Sequence, residues 1–492
     1  MHIHRIHRRG LSLILSLCLV LAPMHSWSIS GDDLPDIGAA SGNLLTPAQE
    51  QQLGKTFMRY IRATQAVVSD PLLDDYINKL GNSLVEHSPG QGTSFNFFLV
   101  DSPEINAYAG PGGYIGVYTG LLLTTESESE LAAVLAHEIT HVTQKHLQRA
   151  WHSASNLSLV QGAALIAAII LGAAAGGDAA MAAAMGTQAA MQQQQINFTR
   201  HNEQEADRLG ISILYDAGFD PRAMPSFFTR MGRANQSYGR ELPEFLRTHP
   251  VTNSRIADSL GRAEKYPYRQ RPDSRRYLLS RAALREQTFE QPEEAVTYFR
   301  TALKEGRYRD QAATQYGLAV ALLHNAKYGE ARSELEKLTR QYPDVLEFVI
   351  TASRADIESG HATQAIQRLE QNSHKFPLSY PLQLTLAEFY LRTGQAKPAY
   401  KKLKLLADVQ PENAQAYKLL AKAAAALDHK AESHEFMATH YYLRGSLEAA
   451  VLQLKIALRI PGLDFYQTAK LESRLKKIQT EVDELKKEQK KN

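Results

Sequence analysis

A 34-residue period in the second half of the chain limits its fold more than any other feature. Pro343, Pro377 and Pro411 are spaced by 34 residues, as are Ala331, Ala365 and Ala399. A third series, Ala319, Ser353, Ala387 and Ala421, is small at the same interval. Small residues at fixed places let the two helices of a unit approach closely, and each proline stops a second helix. Gly360 and Gly394 stand five residues before their alanines, where the chain turns between helices. Such a unit cannot bury its apolar face alone, so the pattern predicts helical hairpins stacked into a solenoid.

Three registers agreeing at this interval are the signature of tetratricopeptide repeats. A weaker unit begins near Pro292-Glu293-Glu294-Ala295, and another near Gly445–Ala450, ending at Pro461, is out of register by an insertion. The tail from Leu471 reads as a charged helix ending in Lys486, Lys487, Lys490 and Lys491, expected to be a solvated cap. Two prolines and nearby charges in Tyr266–Pro272 mark a linker. The repeat domain is therefore expected over residues 273–492.

Upstream, His137-Glu138-Ile139-Thr140-His141 reads H-E-x-x-H. Two histidines four apart on a helix lie one above the other, so both can bind one zinc ion. The glutamate beside the first is placed to take a proton from the attacking water. Ser127-x-x-Glu130 offers a capping box to start the helix, and Leu131, Leu135, Ile139 and Val142 form an apolar stripe that leaves the histidines to one side. This is the core of a zinc peptidase.

A catalytic zinc site needs a third protein ligand. The candidate is in Asn202-Glu203-Gln204-Glu205-Ala206-Asp207, where Glu203 and Asp207 share one helical face. Glu203 is expected to bind the metal and Asp207 to orient a ligand histidine, with Glu205 as the rival ligand. Gly210, one turn on, would let this helix approach the first closely. His146, His152 and His201 read as surface residues or local caps rather than ligands.

Residues 45–87 read as helices. Phe95–Val100 and Tyr114–Tyr118 read as strands, the second entered through Pro111-Gly112-Gly113. Either they form a core hairpin or they present a sheet edge beside the metal for an extended substrate. Residues 153–177 carry no formal charge and are rich in Ala, Gly, Leu and Ile. Their glycines favour a hairpin packed over the active site, or touching a membrane or client through 153–191, above a membrane span or an incidental Ala-rich core helix.

The N-terminus reads as a secretory signal: Arg5, Arg8 and Arg9, an apolar run from Leu11 to Leu21, and Ser26-Trp27-Ser28 as a cleavage site. Cys18 is the only cysteine, and Leu17 before it argues against a lipoprotein. Removing residues 1–28 leaves 52 basic and 52 acidic residues, which argues against a globally basic nucleic-acid binder. The peptidase domain is expected over residues 29–272.

H-E-x-x-H, then N-E-x-E-A-D, then Thr248-His249-Pro250 followed by Arg255-Ile256, resembles the BepA-type exported zinc metallopeptidases. Ile105-Asn106-Ala107 and the Pro-Gly-Gly turn are also similar. Their catalytic domain is shared with the HtpX and CAAX-prenyl peptidases, and their order of signal, peptidase and repeats is that of this chain. The resemblance implies a mainly α protein: a zincin-like domain with a small β-sheet, then the repeat solenoid. It makes His137, His141 and Glu203 the ligands of one zinc and Glu138 the general base. His249 either stabilises the oxyanion or occupies the fourth zinc position in a resting state, and Arg255 supports the same loop or the developing charge. It also implies a periplasmic endopeptidase with chaperone-like activity. Its partners would be stalled outer-membrane β-barrel proteins and the β-barrel assembly machinery. The rival reading is a non-proteolytic repeat-domain chaperone or scaffold.

Overall fold

A computed structural model describes residues 45–90, 92–151, 166, 190–237 and 244–489. Helix α1 (Pro47–Thr64) opens on a capping box: the Thr46 side chain accepts from the Gln49 N–H, and the Gln49 side chain accepts from the Thr46 N–H. Helix α2 (Pro71–Val85) starts from Asp70, whose Oδ1 accepts from the amides of Leu72 and Leu73. Both place proline at the first turn, where its missing N–H costs nothing.

Three strands follow, β1 (Asn96–Val100), β2 (Ala107–Ala109) and β3 (Tyr114–Tyr118), in the order β1–β3–β2. β1 runs parallel to β3, with Phe98 opposite Gly116, so the two runs seen in the sequence do not form a hairpin. The Pro-Gly-Gly turn does make one, but its other arm is β2, antiparallel to β3 with Tyr108 opposite Gly116. β3 is thus the central strand, and all five of its residues are buried.

Helix α3 (Thr119–Thr124) leads into α4 (Glu128–Thr143), the axle of the domain. Ser127 caps α4, its hydroxyl accepting from the Glu130 N–H at 3.2 Å. The box is only half made: the Glu130 carboxylate accepts from the Glu126 amide at 2.7 Å and pairs with Arg230 instead. Leu131, Leu135 and Ile139 are fully buried, each worth about 1.5–3 kcal/mol relative to exposure. Residues from Glu128 to Thr140 are buried on every side of α4, because α2, β2, α6 (Ala190–Asp216) and α7 (Ala223–Ser237) all pack on it. Between α4 and α6 lies α5 (His146–Trp151). Short α8 (Glu244–Thr248) and α9 (Asn253–Ala263) complete this half.

The repeat half is entirely helical. α10 (Arg275–Gln287) follows the linker, whose Arg269 and Arg271 lie over the rings of Tyr215 and Phe219 at the end of α6. The helical pairs are α11 (Pro292–Glu305) with α12 (Gln311–His324), α13 (Tyr328–Gln341) with α14 (Leu346–Glu358), and α15 (Ala362–Lys375) with α16 (Tyr380–Arg392). Then come α17 (Ala396–Val409), α18 (Ala414–Ala426), α19 (Lys430–Leu443) and α20 (Leu447–Leu458). The periodic alanines Ala319, Ala331, Ala365, Ala387 and Ala399 are all fully buried at helix contacts. Left-handed residues recur at the same period: Ala326, Gly360, Gly394 and Asp428 have φ of 54°, 84°, 77° and 60°.

The last described helix, α21 (Phe465–Gln489), is more than a solvated cap. Leu471, Ile478 and Val482 bury one face of it against Ala450, Val451 and Leu454 of α20. Its Glu481 reaches back to Arg59 of α1 at 2.9 Å. The Arg59 guanidinium lies 4.4 Å over the Tyr442 ring, and the Tyr442 hydroxyl donates to Glu481 at 2.9 Å. Leu72 of α2 enters a repeat cluster with Ile350, Leu382 and Leu386. Arg276 joins Asp75 at 2.7 Å to Glu347 at 2.8 Å. The repeats therefore hold the N-terminal half against themselves, around a cleft of about 1080 Å³ lined by α1, α2, β1 and α16–α19.

Candidate metal centre

α4 and α6 lie close because Gly210 has no side chain. A Cβ there would sit 3.3 Å from the His137 amide nitrogen and 2.9 Å from the Met224 methyl. This contact sets the Glu203 and Asp207 side chains opposite the α4 histidines. His249 arrives from the end of α8, its amide bonded to the Phe245 carbonyl at 2.7 Å.

His137, His141, Glu203 and His249 each offer one ligand atom, all within 4.8 Å of one another. His141 Nε2 lies 3.0 Å from His137 Nε2, and His249 Nδ1 lies 3.3 Å from His137 Nε2. Both Glu203 oxygens lie 3.1 Å from His249 Nδ1. Three imidazole nitrogens and a carboxylate converging this tightly need a positive charge among them, and that donor set suits a divalent cation. Among the described residues this is the one such group. Glu138 is buried beside it, its Oε1 3.4 Å from His249 Nε2.

Protons otherwise balance the carboxylates. Burial opposes charge on His137, but Glu203 and Asp207 outweigh it and push its pKa up to about 10. Burial likewise opposes the Glu203 carboxylate, yet His249 and His137 hold it well below the usual range. His141 is pushed down by burial.

Further charged groups surround the donors. Asp207 Oδ1 sits 3.0 Å from His137 Nδ1. Arg255 grips Asp207 with two bonds of 2.7 Å, contacts Glu203 at 2.9 Å and donates to the Pro250 carbonyl at 2.9 Å. One guanidinium thus ties α6 to the loop that carries His249. Glu205, the rival ligand, points away from the donor cluster and meets His146 Nε2 at 3.1 Å and Arg149 at 3.2 Å. His146 is buried, not at the surface, with its Nδ1 2.7 Å from His141 Nδ1. His201 is exposed as expected, and His152 lies outside the described residues.

The donors floor a cleft of about 370 Å³ walled by β2, α5 and the His249 loop. The outer edge of β1 is closed: the Asn78 amide bonds both the N–H and the C=O of Phe97, and the Leu99 carbonyl accepts from Val68. The sheet edge beside the donor cluster is therefore β2, a strand of three residues. Of the uncharged segment only Ile166 is described; it is buried against Leu53, Phe57 and Tyr108 and lines this cleft. The rest of the reading for 153–191 lies outside the described residues up to Ala190. Among the described residues no helix is long and apolar enough to cross a membrane.

The sequence pattern of Peptidase family M48 matches residues 71–263, and that of the tetratricopeptide repeat matches residues 356–423. The beta-barrel assembly-enhancing protease of Escherichia coli (strain K12) is 35% identical over 91% of this chain and 92% of its own length. The protein of the same name from Yersinia pestis is 36% identical over 93% of this chain and 94% of its own. The mitochondrial metalloendopeptidase OMA1 of Arabidopsis thaliana is 30% identical over 34% of this chain and 31% of its own. The solenoid outside residues 356–423 and the α1 helix both lie beyond the two matched patterns.

Proposed function

Since the chain belongs to the beta-barrel assembly-enhancing proteases and is a metalloendopeptidase, we propose that it cleaves misassembled outer-membrane β-barrel proteins in the periplasm with one zinc ion. The observation that carries this is the convergence of His137, His141, Glu203 and His249 within 4.8 Å, with Glu138 buried alongside.

His137, His141 and Glu203 would hold the zinc. When bound, zinc supplies Lewis acidity toward the scissile carbonyl. Glu138 takes the proton of the attacking water and hands it to the leaving amine. Asp207 and Arg255 hold His137 and Glu203 in place. The β2 edge offers backbone groups to an extended substrate lying across the cleft. His249, the fourth donor, would fill the remaining place at rest and would have to move aside for water and substrate to enter. A site closed by four protein ligands is otherwise structural. On this reading His249→Ala raises basal cleavage, and lower activity at normal zinc content would assign it to the oxyanion instead.

Export rests on the signal-like residues 1–28, and the domain limits 29–272 and 273–492 on the linker and the change of pattern. The repeats, with a chaperone-like role, would bind clients and the β-barrel assembly machinery. The fragment 273–492 alone is a poor test of that role. It would uncover Ile350, Leu382 and Leu386, which Leu72 covers in the full chain.

The deciding experiment uses the full mature chain, wild type beside Glu138→Gln at equal zinc content, with an unfolded outer-membrane β-barrel protein as substrate. Cleavage by the first and none by the second is expected. Equal cleavage by both would remove Glu138 from the mechanism. Binding without cleavage by either would turn the function toward a scaffold.

A further inference from the structure

The two α4 histidines are backed differently. Behind His137 stands a carboxylate fixed by an arginine: Asp207, gripped by Arg255. Behind His141 the same pattern appears with one imidazole inserted. His141 Nδ1 lies 2.7 Å from His146 Nδ1, His146 Nε2 lies 3.1 Å from Glu205, and Glu205 lies 3.2 Å from Arg149. His146 is buried. We propose that His146 is a positioning residue, carrying the Glu205 carboxylate to His141 so that His141 turns Nε2 toward the metal.

The hydrogen bonds fix the tautomers. His141 presents Nε2 to the donor cluster, so its Nδ1–H donates to His146 Nδ1. His146 then carries its own proton on Nε2 and donates it to Glu205. A ligand histidine held this way keeps its ring orientation and gains basicity, and removing such a partner typically costs 10–100-fold in metal affinity. The chain reaches this geometry through a local backbone device. Lys145 adopts a left-handed φ of 54°, which separates the end of α4 from the start of α5. Without that turn, His146 would stand five residues along one helix from His141, on a different face. Alternation along α6 then divides the labour: Glu203 faces the cation, Asp207 backs His137, and Glu205 backs the second histidine.

The inference rests on His141 being a ligand, and the test separates the two. Zinc affinity of the full mature chain is measured by competition with a chromophoric chelator. Wild type, His146→Ala, His146→Asn, Glu205→Gln and the double variant His146→Ala/Glu205→Gln are compared. The expected loss in His146→Ala is about 10–100-fold. His146→Asn recovers part of it, because the amide oxygen can accept where Nδ1 did. Glu205→Gln weakens binding in the wild type and adds nothing in His146→Ala, since its effect passes through the imidazole. The cobalt(II)-loaded His146→Ala protein should also show shifted visible bands. Unchanged zinc affinity in His146→Ala, with only a lower melting temperature of the metal-free protein, would overturn the proposal. So would an equal cost of Glu205→Gln in both backgrounds. Failure of the wild type to bind zinc at all would instead defeat the metal site itself.

Discussion

Arg255 shows how much one residue can hold. Its guanidinium satisfies Asp207, Glu203 and the Pro250 carbonyl at once, in a buried place. A lysine cannot reproduce that planar fork. Arg255→Lys is expected to cost about 3 kcal/mol, the scale of breaking a buried pair, and to lower zinc content. Wild-type melting and zinc content would show that the fork is dispensable. The residues of the metal centre were legible to different degrees for a physical reason. His137, His141, Glu203 and Asp207 follow the regular spacing of uninterrupted helices, so their shared faces can be read directly. His146 lies beyond a left-handed break at Lys145, which no residue type announces, so by sequence it reads as a surface residue or local cap. Glu205 reads as a rival ligand because spacing alone cannot say which of two neighbouring acids turns inward.

At the scale of elements, the repeat was the clearest part of the sequence because proline, glycine and alanine mark turns and contacts by type. Its least obvious members are Ala326 and Asp428, which occupy the same left-handed turn as Gly360 and Gly394 without being glycine. That conformation costs an L-residue roughly 1–2 kcal/mol, offset in part by the entropy glycine loses on folding. Ala326→Gly should therefore stabilise the protein by about 0.5 kcal/mol in denaturant titration. A loss would mean the turn is held by the alanine methyl. In the peptidase half, Leu135→Ala at the fully buried centre of α4 should cost about 2–5 kcal/mol. β2 is not legible in the sequence because three residues carry too little alternation to register, which leaves β1 as the apparent hairpin partner of β3. A strand that short forms only because β3 and the Pro-Gly-Gly turn hold it there.

At the scale of the whole molecule, the join between the halves carries an electrostatic strain. Asp74 of α2 faces the large cleft, and burial, with Asp70 and Asp75 nearby, pushes its pKa up to about 7 against the pull of Arg62. An acid raised on folding binds its proton more tightly in the folded chain. Stability thus falls as pH climbs from about 4 toward 7, then stays level. Asp74→Asn should raise the melting temperature at about pH 8 and change it little at about pH 4.5. A uniform effect at both would show that the carboxylate is not the cause. The sequence carries no sign of this join, because contacts such as Arg59 with Glu481 link residues 422 positions apart. A stacked array has only neighbours to lean on, and ordinarily comes apart from whichever end has one neighbour fewer. Here that outermost layer, α21, is fastened to α1, so the array has no loose margin from which to peel. Fraying should give way to a single cooperative melt of both halves, and a chain stopped before Glu481 should melt in two steps.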